Sequence, residues 1–128
     1  MKRQGVLHPQ LSRVLAETGH TDILTICDQG FPVPLGVERV DLALTADIPT
    51  VLDVLKTMDS EFIIDTIIVT EEMQRVSPER FDQIRTQYPH VNLKIISHAE
   101  FKRICPESRA VIRTGDSVPY ANIMIVSG

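Results

Sequence analysis

Two ionisable side chains, His20 and Asp28, bracket the apolar run Ile23–Cys27 in the stretch GHTDILTICDQGFPVP. A core strand has no packing need for an imidazole before it and a carboxylate after it, whereas proton transfer uses both. His20 follows Gly19, which the pattern makes the left-handed cap of a preceding helix. A helix C-terminus favours imidazolium and suits a proton donor near neutral pH, although a histidine there can equally serve only as a cap. Asp28 opens a turn, where aspartate commonly bonds its own backbone. In a functional role its carboxylate would accept hydrogen bonds from hydroxyls, which suits a polyol.

A second group lies towards the C-terminus. Ser97 to Glu100 reads S-x-x-E, a capping-box pattern that puts His98 at the first position of a helix. The dipole there disfavours protonation, so His98 is expected neutral and able to accept a proton or a hydroxyl hydrogen bond. Lys102 shares its face at i+4, where a solvated lysine is the ordinary occupant. Tyr120 and Asn122 alternate across Ala121 in PYAN, so both point one way if the segment is extended. An aromatic face beside an amide suits a sugar, and a strand start with a capping Asn explains the pair nearly as well. His8 and His90, next to Pro9 and Pro89, read as surface residues.

Missing patterns narrow the chemistry. The chain has no G-x-G-x-x-G, no G-x-x-x-x-G-K-[ST] and no G-x-S-x-G, so dinucleotide, Walker-type phosphate and serine-hydrolase chemistry have no support. Glu71 and Glu72 are adjacent, face different ways and read as solvated. No His/Cys cluster has metal spacing. Acid–base chemistry without cofactor, metal or covalent nucleophile remains. Thirteen Lys+Arg against seventeen Asp+Glu give a net charge of −4 with no basic block, so neither nucleic acid nor an anionic membrane is an expected partner. The expected ligand is a neutral or weakly charged small molecule.

The elements needed to position these groups follow from periodicity. Pro9 fits a first helical position, with Leu11, Val14 and Leu15 as its apolar stripe. Strands are expected at Ile23–Cys27, near Val40–Ala43, through FIIDTIIVT and VNLKIIS, and in RAVIRTG and NIMIVSG. Pro49 is read as opening a helix through Val51, Leu52, Leu55 and Met58. A further helix begins at Ser77-Pro78, and a short one follows Ser97. Alternating helices and buried-type strands predict an α/β fold: a three-layer single domain, residues 1–128, with a mostly parallel or mixed central sheet flanked by helices. Ligands of such sheets gather beyond the carboxyl ends of strands, which puts Asp28 and His98 on one rim. The basic N-terminus has no apolar segment behind it and is not read as a secretory signal. Cys27 and Cys105 sit in or beside apolar runs, as buried reduced thiols of a cytoplasmic protein do.

The segments GHTDILTICDQGFPVP, RVDLALTADIPTVLDVL, ISHAEFK and SRAVIRTGDSVPYANIMI closely resemble the D-ribose pyranase family, the sugar mutarotases of ribose utilisation. The resemblance runs in order over nearly the whole chain. Its motifs are H-T-D, D-x-G-F-P-V-P and R-x-G-[DE]-x-x-P-Y-A-N. It implies that His20 is the proton-donating histidine and that Asp28, His98 and Tyr120–Ala121–Asn122 bind the sugar, with Lys102 nearby. It also implies a homodecamer of two stacked pentameric rings, with each sugar cleft at a subunit boundary. Related fucose mutarotases carry a histidine where this chain has Gly30, which favours ribose as substrate. Two other readings use the same residues: a non-catalytic sugar-binding or regulatory ring, and a mutarotase for another sugar such as fucose.

Overall fold

Hydrogen bonding joins the apolar runs into one six-stranded sheet. The structure is a computed structural model that describes residues 1–128. Its strands are β1 (Ile23–Cys27), β2 (Glu38–Asp41), β3 (Ile64–Thr70), β4 (Asn92–Ile96), β5 (Ala110–Arg113) and β6 (Ile123–Ser127), in the order β2-β5-β1-β6-β3-β4. Parallel pairs join β1 to β5, β2 to β5 and β3 to β4, while β6 runs antiparallel to β1 and β3. Five strands therefore share one direction. Their carboxyl ends and the amino end of β6 form a common rim, and the sheet is mixed, as expected.

The helices are α1 (Pro9–Glu17), α2 (Val51–Asp59), α3 (Glu71–Val76), α4 (Pro78–Gln87) and α5 (His98–Ile104). Strand alternation divides the core. Leu24 and Ile26 of β1 join the larger cluster with Val14 of α1, Leu55 of α2, Met73 of α3 and Ile84 of α4. Cys27, next after Ile26 and so of opposite phase, joins Val111 and Met124 under Phe31, Phe101 and Cys105 on the other face. Helices thus flank both faces unequally, with α5 and the loop after β1 on the thinner side. No helix is long and apolar enough to cross a membrane.

Several local expectations shift. The second strand lies at Glu38–Asp41 rather than Val40–Ala43, because pairing with β5 fixes its register and the Asp41 carboxylate accepts the Ala43 N–H to turn the chain. Pro49 precedes α2 instead of opening it. The cap is Thr50, in a reciprocal box with Asp53. Strand β3 begins at Ile64, and VNLKIIS supplies an edge strand with Asn92, Lys94 and Ile95 exposed, not a third core strand. Helix α3 was not anticipated; Thr70 caps it by accepting the Met73 N–H. Gly19 is not a left-handed cap. Helix α1 ends at Glu17, Thr18 is extended (φ −75°, ψ 126°), and the left-handed residue is Thr21 (φ 69°).

Candidate active site

Three segments meet at the carboxyl rim. The first carries Asp28, immediately after β1. Its Oδ1 accepts the Gly30 N–H at 3.0 Å, the local bond expected of an Asp turn. The Asp28 N–H in turn donates to Asn122 Oδ1 at 2.8 Å, which ties the β1 loop to the start of β6. Half-burial pushes the Asp28 carboxyl above its ordinary range, against the pull of the Gly30 and Phe31 backbone donors.

The second segment is the start of α5. Ser97 Oγ accepts the Glu100 N–H, and the His98 N–H donates to both carboxylate oxygens of Glu72, at 3.1 and 3.0 Å. Glu72, expected to be solvated, therefore closes this helix end from α3. The His98 imidazole stacks on Phe101 (interplanar 10°) and meets Phe31 and Tyr120 edge-on, with centroids 6.3 and 5.1 Å away. Its Nδ1 is buried without a hydrogen-bond partner. Desolvation first, then the Lys102 ammonium, lowers the His98 pKa, with Glu72 and Asp28 opposing. The expected preference for the neutral form is thus present, but burial causes it more than the helix dipole.

The third segment is the loop into β6. Tyr120 has φ 57°, a left-handed conformation, so residues 120–122 are not the extended stretch that the alternation assumed. Ser77 Oγ donates to the Pro119 carbonyl at 2.6 Å and anchors this turn to α4. Ala121 is buried in the larger core, which limits its role in any ligand contact to its backbone. Asp28, Gly30, Phe31, His98, Lys102, Tyr120 and Asn122 line one open cleft of about 290 Å³. Pockets for drug-sized ligands span ~300–1,000 Å³, so this volume suits a small ligand. A larger open groove, about 440 Å³, lies at the α3–α4 elbow, but its Arg80 is committed to another partner.

That partner is Asp116, the acidic position of the R-x-G-[DE]-x-x-P-Y-A-N motif. Its carboxylate is fully buried and accepts from Arg80 Nη1 at 2.5 Å, Val51 N at 2.9 Å and Val118 N at 3.0 Å. The Asp116 carbonyl accepts the Gln29 N–H at 3.0 Å. One buried residue thus braces the Asp28 loop and the turn leading to Tyr120. A polar residue inside an otherwise unassigned loop motif was the available sequence signal.

His20 lies elsewhere. It is exposed before β1, on the opposite rim, one strand length or about 16 Å from Asp28. Its turn closes through Asp22 N to Gly19 O at 3.2 Å. Asp22 Oδ2 accepts from Gly19 N at 2.8 Å and Arg109 Nε at 2.9 Å. The positive φ falls on the β-branched Thr21, a strained choice that recurs at functional turns. A single copy brings Asp28, His98, Lys102, Tyr120 and Asn122 together and leaves His20 apart.

Residues 1–128 match the RbsD / FucU transport protein family. The chain belongs to this family. It is 40% identical over 136 aligned positions to the D-ribose pyranase of Haemophilus influenzae (strain 86-028NP), covering 100% of this chain and 98% of the relative. It is 43% identical over 128 positions to the D-ribose pyranase of Coprothermobacter proteolyticus, with the same coverage. Among solved structures, Bacillus subtilis RbsD complexed with D-ribose matches with TM-score 0.95 and 34% identity, covering 100% of this chain and 98% of that one. The fucose mutarotase of Streptococcus pneumoniae, solved with L-fucose, shares the fold at TM-score 0.83 and 17% identity, with the same coverage.

Proposed function

We propose that this RbsD / FucU family chain is a D-ribose pyranase, an isomerase that interconverts the pyranose and furanose forms of D-ribose. The observation that carries this reading is the convergence of a carboxylate, an imidazole, an ammonium, a phenol and an amide on one small cleft. The end-to-end similarity to D-ribose pyranases supports the choice of sugar. So does Gly30, which leaves the cleft wall beside Asp28 without a side chain, where fucose mutarotases are expected to carry a histidine.

Ring opening needs a proton on the ring oxygen and removal of one from the anomeric hydroxyl. Re-closure on a different hydroxyl changes ring size. One positioned donor or acceptor supplies ~10²–10⁴-fold, or roughly 3–5 kcal/mol of barrier, which suffices for a reaction that already proceeds in water. In our reading His20 donates to the ring oxygen, and Asp28, His98, Lys102, Tyr120, Asn122 and the Ala121 backbone hold the sugar. The strand-length separation of His20 from the cleft supports a site completed by His20 of the partner subunit. We extend this to the pentameric rings and decamer of the family resemblance. Leu35, Leu44 and Ile48 on the loops after β1 and β2 are 101%, 80% and 55% exposed, apolar surface suited to covering by another copy. The two buried unpaired thiols suit a reducing, cytoplasmic setting.

Saturation-transfer NMR on the anomer signals of ribose, fucose and galactose tests the assignment. We expect exchange above the buffer rate for ribose and loss of that excess in His20→Ala with folding intact. Ribose binding without exchange would instead identify a sugar-binding ring, and faster exchange of fucose would move the substrate.

A further inference from the structure

We infer that Asp28 is the general base of the cleft, the group that removes the anomeric proton while His98 serves as a fixed hydrogen-bond donor. This rests on the mutarotase reading above and adds the second proton-transfer group.

The orphaned Nδ1 of His98 decides which of its nitrogens carries the hydrogen. If Nδ1 of His98 carried a hydrogen, a buried N–H would have no acceptor, the costlier way to leave that atom unpaired. The hydrogen therefore sits on Nε2, leaving only the bare lone pair of Nδ1 among the aromatic rings. An imidazole in that tautomer donates into the cleft. Its one basic lone pair is on the buried atom, out of reach of a substrate proton.

The neighbours are no better suited. Lys102 is an ammonium with donors only, and Tyr120 offers a phenol, itself an acid. The Asn122 oxygen already accepts the Asp28 N–H, and its NH₂ is a donor with no basic lone pair. Asp28 is different: Oδ1 holds the Gly30 N–H, and Oδ2 lies outside that bond, available to a ligand. Half-burial makes this carboxylate more basic than an exposed one. The charged groups around it are Lys102 of α5, which lines the same cleft, and Asp116 after β5, with Glu72 behind neutral His98, while Arg113 is paired with Asp41.

The step balances. Asp28 takes the proton of O1, the O1–C1 bond becomes a carbonyl, and the C1–O5 bond breaks with its electron pair going to O5. His20 of the partner subunit protonates O5. In closure to the furanose, O4 attacks C1 and gives its proton to His20, while O1 regains the proton held on Asp28. Both groups return to their starting states.

The test measures ribose exchange at saturation from pH 4 to 9, with the ribose Kd measured separately, for the wild type, His20→Ala, Asp28→Asn, Asp28→Ala and His98→Gln. Glutamine keeps a donor but has no basic nitrogen. We expect Asp28→Asn to lose about 10²-fold or more of the saturated rate while Kd moves only a few-fold. His98→Gln should weaken binding but keep the rate within about tenfold. The wild-type rate should fall on the acid side as Asp28 protonates, and Asp28→Asn should lack that limb. Formate should partly restore exchange to Asp28→Ala. A wild-type saturated rate in Asp28→Asn, or a larger rate loss in His98→Gln than in Asp28→Asn, overturns the inference. If the wild type never exceeds buffer, the mutarotase reading fails. If the wild type exceeds buffer and His20→Ala does not, while Asp28→Asn matches the wild type, only the assignment of Asp28 fails.

Discussion

The two rims of the sheet are built to different standards. At the carboxyl rim, the cleft rests on a buried Arg80–Asp116 pair that connects α4, the start of α2 and two loops. At the opposite rim, His20 rides an exposed four-residue turn held by local Gly19–Asp22 bonds, by backbone bonds of Thr21 and Asp22 to Ser127, and by the Asp22–Arg109 pair, whose side chains are 39% and 45% exposed, with no buried ion pair beneath it. On the proposed mutarotase reading, gripping a sugar demands several groups in fixed relation, so that side inherits the rigidity of the core. Delivering a proton, the role proposed for His20, demands one group with access, so it can sit on a surface turn. The contrast teaches that rigidity follows the number of groups that must be held together.

The contrast breaks most severely at Asp116. Asp116→Ala strands Arg80 and leaves the Val51 and Val118 N–H groups unpaired, which should cost ~3–5 kcal/mol in urea unfolding. Domains of this size are stable by about 5–15 kcal/mol, so the variant should be marginal. Replacing both partners with apolar residues, as in Arg80→Met/Asp116→Leu, should recover the part of that loss due to the stranded guanidinium, while the Val51 and Val118 N–H groups stay unpaired and ribose binding stays weakened. Recovery of both stability and binding would show that the pair holds the fold alone.

A smaller effect is expected at the other rim. Asp22→Ala removes the acceptor of the Gly19 N–H and an exposed ion pair, so its urea midpoint should move only slightly in the same assay. The exchange rate should fall further than that stability change implies, because the His20 turn loosens, with the ribose Kd unmoved. An equal loss of Kd and rate would argue that the turn also shapes the cleft.

The smallest effect is acid sensitivity of the cleft rim. The folded-state pKa of His98 lies below its ordinary 6.5, so the folded protein binds fewer protons than the unfolded chain there. Stability should be complete above about pH 6.5 and fall as pH drops through the lower folded value. His98→Gln should flatten this part of the pH–stability curve in thermal melts. Asp28 has the opposite sign: its raised pKa destabilises the folded state above the ordinary carboxylate range. Asp28→Asn should accordingly melt slightly higher at pH 7, a stability gain at a cleft residue.

Much of this was legible in the residue order. Strands such as Ile23–Cys27 announce themselves by apolar content, and Pro9 and the Ser97 cap mark helix starts by local chemistry. Asp28 and His98 could be placed on one rim because strand direction follows from alternating elements. Long-range partners were not legible. Glu72 closing α5 and Asp116 holding Arg80 are contacts between residues 26 and 36 positions apart, which no local pattern encodes. Tyr120 reached the predicted cleft by an unpredicted conformation, because a left-handed tyrosine is stabilised by the surrounding turn and not by its own preference.

The separation of donor and cleft is tested most directly by mixing two inactive variants. His20→Ala keeps a whole cleft and Asp28→Asn keeps a whole donor, so neither should exceed the buffer rate of ribose exchange alone. After the two are dissociated and reassembled together at equal amounts, roughly a quarter of the sites should pair an intact Asp28 with an intact His20 of the partner subunit, and exchange should return to about that fraction of wild type. A reassembled mixture as inactive as its components would contradict the account.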